Sequence, residues 1–145
     1  MEYAVISATI QRGFGVASKN IKSQLPHLVQ IFPELKNIYT ASINILLDKP
    51  LHIAKLERTT PIIQWWDADS SGKGFWHPEQ FSIVPIKFEY PVNTATKEAW
   101  LLVCHDSAYF RDPLRFEVVT EKLNGLMPGQ QCKIHIQKTA DIDVG

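Results

Sequence analysis

Short runs in which apolar and polar positions alternate, separated by turn residues, dominate this chain. Tyr3 to Ile10 is rich in β-branched and aromatic types and predicts a first strand. Tyr39 to Asp48 predicts another, with Ile43, Ile45 and Leu47 on one face and Ser42, Asn44 and Leu46 on the other. Further strands are predicted near Leu51–Leu56, Pro61–Trp66, Gln80–Tyr90, Glu98–Cys104, Leu114–Thr120 and Gln131–Lys138. Pro85 inside the third of these calls for a bulge or an edge. Glu98–Cys104 is nearly all apolar, as a strand buried on both faces would be. In the last run Cys132, Ile134 and Ile136 would point inward.

One segment has helical spacing instead. Ser18 or Asn20 would cap it, Ile21, Leu25, Leu28, Val29 and Phe32 recur at three- and four-residue steps, and Pro33 would end it. Glu121 to Leu126 could add one helical turn. Asp67 to Gly74 reads as a hairpin loop: it lacks the closing Glu and the preceding helix of an EF-hand. Strands with turns at short intervals suggest a mainly β fold, with one or two short helices, closed into a barrel of about six to eight strands. Residues 1–138 would be one domain, and 139–145 a polar, frayed tail.

Composition supports this picture. The chain has 145 residues, 45% hydrophobic and 21% charged, enough for a core without staples. Lys+Arg and Asp+Glu are both 15, so the chain lacks the positive excess of a general nucleic-acid or membrane-surface binder. Cys104 and Cys132 lie in apolar runs without a CxxC, as buried thiols of a reducing compartment would. Neither a signal-peptide pattern nor a transmembrane-length apolar run is seen, so a cytoplasmic protein is expected.

Candidate chemistry is sparse. Ser42 and Asn44 place two hard oxygen donors on one strand face, which can hold a cation or simply satisfy a strand end. The segment Gln11 to Ser18 carries Gly13 and Gly15, which permit close approach of backbone N–H groups to phosphate, or a tight strand-to-helix turn. No Lys-Ser/Thr follows, so it is not a Walker loop. His27, His52, His77, His105 and His135 lack zinc-ligand spacing. His105-Asp106-Ser107 holds the letters of a hydrolase triad, but such members converge from separate segments. Trp65, Trp66, Trp76 and Trp100 could stack a planar ligand or fill the core.

Taken in order, three segments resemble the CTP-dependent riboflavin kinases, a mostly archaeal family with a cradle-loop barrel. They are the strand, Gly-x-Gly loop and helix around Gln24; Ala41-Ser42-Ile43-Asn44 with the following apolar strand and Asp48; and Ile83-Val84-Pro85-Ile86-Lys87-Phe88. Phe116-Glu117-Val118-Val119 and Leu126-Met127-Pro128-Gly129 are similar to the family's closing segments. The resemblance implies a small-molecule kinase that passes a nucleotide phosphoryl group to riboflavin or a similar alcohol with magnesium (Mg2+), CTP being the donor. It implies that Arg12, Gly13, Phe14, Gly15, Val16 and Ala17 wrap the phosphates, and that Thr120, Glu121, Lys122 and Leu123 lie along the nucleotide. Ser42 and Asn44 would hold the metal, and Glu117 would face the flavin or its phosphoryl-accepting hydroxyl. The partners implied are a nucleotide and a flavin, with neither nucleic acid nor membrane. Two family glycines are replaced, by Gln11 and Ala41, and the alternative is a non-catalytic nucleotide- or protein-binding domain of the same barrel.

Overall fold

The computed structural model describes residues 2–11, 26, 28–38, 43–53, 60, 63–68, 74–104, 112–123, 125–139 and 142–144, with backbone alone for 63–68, 74–79 and 104. Its strands are β1 (Tyr3–Gln11), β2 (Ile43–Leu47), β3 (Leu51–Ile53), β4 (Ile63–Ala68), β5 (Gly74–Glu79), β6 (Phe81–Glu89), β7 (Lys97–Cys104), β8 (Arg115–Val119), β9 (Gln131–Gln137) and β10 (Ile142–Val144). Six of them close an antiparallel barrel in the order β1-β2-β8-β7-β6-β9. The ribbons β4–β5 and β3–β10 form separate two-stranded sheets.

Period-two alternation decides which side chains fill the barrel. Ala4, Ile6, Ala8 and Ile10 of β1 face inward with Ile45 and Leu47 of β2 and Cys132, Ile134 and Ile136 of β9. Ile86, Phe88, Ala99, Leu101 and Val118 complete this interior. Each large apolar side chain so buried contributes about 1.5–3 kcal/mol. Cys132 is fully buried, and desolvation, followed by the charge of Asp48, pushes its thiol up to about 12. It packs as a small hydrophobe, not as a nucleophile.

Part of the barrel's outer face is apolar too. Phe81, Ile83, Leu102 and Val119 pack under Leu28, Phe32, Leu35 and Ile38. Helical residues 28–31 lead into a 3₁₀ helix, Pro33–Asn37, so the helix stops where Pro33 was expected to stop it. This layer explains the continuous apolar run of β7: Leu101 points into the barrel while Leu102 points into the second cluster. Pro85 pairs across β7 with Trp100, whereas pairing with β9 begins only at Lys87. The proline therefore lies on a locally open edge, where its missing N–H leaves no gap in the ladder.

Three local expectations change. Residues 142–144, expected to be frayed, pair with β3, and Ile142 and Val144 pack against the barrel cluster. Their apolar–polar–apolar alternation is a short strand signal, and burying it ties the segment down. β5, unanticipated, pairs with β4 across the expected hairpin loop. The described residues between Glu121 and Leu126 form no helical turn. Gly125 has φ 78°, and its carbonyl accepts a 2.7 Å hydrogen bond from the Tyr90 hydroxyl, so a long-range contact has displaced the local one.

Candidate functional site

The cross-strand register builds the site. Gln11 of β1 faces Asn44 of β2, which faces Glu117 of β8, which faces Leu102 of β7. Ile10, Ile45 and Phe116, one step along, belong to or pack against the barrel interior. Gln11, Asn44 and Glu117 therefore share the outer face. Thr9 and Arg115 lie on the same face one pleat away, each opposite Leu46 or aligned through it. Directly opposed side chains such as Asn44 and Glu117 have Cβ atoms about 4.5–5.5 Å apart.

All five of these polar side chains line a cavity of about 400 Å³. Its far wall is the turn Pro128–Gly129. That wall is pinned: the Gly129 N–H donates to the Ile10 carbonyl at 2.7 Å, and the Ile10 N–H donates to the Gln130 carbonyl at 2.8 Å. Gly129 has φ 89°, the left-handed region that glycine enters without strain. The Gln130 side-chain oxygen accepts from the Met127 N–H at 3.0 Å and lies against the Tyr90 hydroxyl, which holds the turn from behind.

Chemically, the cavity offers one carboxylate, one guanidinium, two amides and one hydroxyl. Asn44 and Glu117 are hard oxygen donors, of the kind magnesium takes when phosphates and water supply its other ligands. Among the described residues no three His, Cys, Asp or Glu side chains cluster as a protein-only metal cage. The site thus fits a cation shared with a phosphate ligand better than a structural metal.

Of the residues singled out in the sequence, Asn44 and Glu117 are brought together. Arg12 to Ala17 and Ser42 lie outside the described residues; Arg12 follows the cavity residue Gln11 in the chain, and Ser42 precedes Ile43. Thr120 is buried, and its hydroxyl donates to the Glu98 carbonyl at 2.9 Å. Glu121 and Lys122 are exposed, and Leu123 packs against the barrel cluster. None of residues 120–123 lines the cavity.

Sequence reasoning passed over Thr9, Gln11 as a side chain, and Arg115. Their only signal was period two: each lies two residues from a site neighbour on the same strand. In comparisons of the sequence with protein-family models and with curated proteins, nothing matches. Among the described residues no helix is long and apolar enough to cross a membrane.

Proposed function

We propose that this barrel is a nucleotide-dependent phosphotransferase acting on a small alcohol, with CTP as donor and riboflavin as the acceptor that the sequence resemblance implies. The observation that carries the reading is the placement of Asn44 directly opposite Glu117 on the wall of one cavity. Two residues 73 positions apart (44 and 117) meet there with the donor chemistry the reaction needs. Phosphoryl transfer asks mainly for positioning and charge neutralisation.

In this reading Asn44, with Ser42 before it, holds magnesium, which when bound neutralises phosphate charge. Glu117 orients the acceptor hydroxyl and takes its proton. The loop that follows Gln11 offers backbone N–H groups to the phosphates. Calorimetric titration with CTP, ATP, riboflavin and FMN, with and without magnesium, tests it. Binding of CTP that requires magnesium, and loses that requirement in Asn44→Ala, is the expected result. Failure of every nucleotide and flavin to bind at millimolar concentration defeats the proposal, and conversion of riboflavin to FMN is the separate test of turnover.

One observation favours the second reading, a binding domain without catalysis. Gln11 stands where the resembling family has glycine, and it lines the cavity. Its side chain takes up cavity space that a glycine would leave open.

A further inference from the structure

Arg115 is a charged cavity residue without an assigned role. It is the first residue of β8, opposite Leu46, two positions before Glu117 on the same outer face. Its backbone is anchored by the turn before it. The Leu114 carbonyl accepts from the Leu47 N–H at 2.7 Å, and the Pro113 carbonyl accepts from the Leu51 N–H at 2.9 Å. Its side chain is aimed as well. One oxygen of Asp112 accepts from the Leu114 N–H at 3.0 Å, which fixes the carboxylate. The other oxygen lies 3.2 Å from Arg115 Nε. The carboxylate thus grips the guanidinium at its stem-side nitrogen.

A surface ion pair of this kind, with the two side chains 43% and 37% exposed, adds little to stability. Its effect is orientation. A guanidinium is a planar fork whose geometry matches phosphate oxygens, and Arg115 is among the residues that line the cavity. Among the described residues that line the cavity Arg115 is the one cation and Glu117 the one anion, so an anionic ligand meets an opposite charge at Arg115.

We infer that Arg115 is the residue that selects a phosphate-bearing ligand in this cavity, by contacting its terminal or bridging phosphate oxygens. The inference rests on the proposed nucleotide-binding role of the same cavity. It assigns Arg115 to phosphate recognition, separate from the metal and proton-handling roles of Asn44 and Glu117.

Titration of the wild-type chain and Arg115→Gln with CTP, CMP, cytidine and inorganic tripolyphosphate, all with magnesium, tests it. Arg115→Gln is expected to weaken CTP and tripolyphosphate about tenfold, as loss of a charge-assisted contact does, and to leave cytidine unchanged. It should also flatten the salt dependence of CTP binding. If the wild type binds none of these ligands, the nucleotide reading and this inference fall together. If the wild type binds CTP and Arg115→Gln binds it equally well, the Arg115 inference alone is overturned. Should the glutamine variant not fold, Arg115→Lys carries the test. It keeps the charge but not the fork, and is expected to lose about threefold for CTP. Wild-type affinity in that variant, with an unchanged salt dependence, overturns the inference.

Discussion

The outer face of the barrel has two halves built on one register row. On β8, β2 and β1 the row reads Glu117, Asn44, Gln11; on β7 and β6 it reads Leu102, Ile83. The apolar half is covered by Leu28, Phe32, Leu35 and Ile38, and Leu102 and Ile83 are almost fully buried. The polar half lines a cavity. Backbone geometry is shared, so side-chain chemistry alone separates a packing surface from a cavity wall. A strand pairs equally well in both; what differs is whether desolvating the face is favourable.

The comparison is broken hardest on its apolar side. Phe32→Ala removes a side chain only 2% exposed and is expected to cost about 3–5 kcal/mol in denaturant unfolding. A loss below 1 kcal/mol would mean that this layer does not hold the barrel. On the polar side the expected effect moves from stability to chemistry. Under the proposed kinase reading, Glu117→Gln should lower riboflavin phosphorylation at least about a hundredfold, as loss of a general base does, with CTP affinity near wild type. Equal activity in the variant removes Glu117 from the reaction.

A control comes from a polar pair elsewhere on the outer wall. Glu89 accepts from the Asn93 N–H at 2.9 Å and lies 3.0 Å from His135 Nε2, which couples β6, β9 and the turn after β6. Asn93 first, then His135, holds the Glu89 carboxyl below its ordinary range against the opposing effect of desolvation. A lowered folded-state pKa stabilises the fold fully above the ordinary carboxylate range, and that stability is lost as pH falls through the folded value. Glu89→Gln should therefore lose less stability as pH falls through and below the ordinary carboxylate range, with ligand affinity unchanged. A change in CTP binding would show that polar outer-face residues are not divided as described.

The smallest expected effect distinguishes the two functional readings. Gln11→Gly should cost roughly 0.5–1 kcal/mol in stability, since glycine weakens a strand. Under the kinase reading with an obstructed loop it raises CTP affinity, measured by calorimetry. Weaker binding makes Gln11 a ligand contact instead, and unchanged binding removes it from both roles.

Much of the barrel was legible because its strands obey period two. Cys132, Ile134 and Ile136 are inward as their spacing required, and β7 is apolar on both faces because both faces are covered. β10 was missed because three residues give too little pattern without the β3 partner that they meet. The Glu121–Leu126 turn was misread because the Tyr90 contact to Gly125 is invisible in local spacing. For the site, Asn44 came from strand spacing and then the resemblance, and Glu117 from the resemblance alone, whereas Thr9, Gln11 and Arg115 needed the register to become neighbours.

The opening of β2 shows where the division lies. Its sequence alone put Ile45 and Leu47 on one face and Asn44 on the other, because successive side chains alternate. The two isoleucine-side positions are inside the barrel at 0% and 2% exposure, as that alternation demands. What Asn44 faces was not written there. Only closure of the barrel brings β8 alongside β2 and sets Glu117 opposite Asn44, because pairing partners depend on the fold of the whole chain and not on the local run.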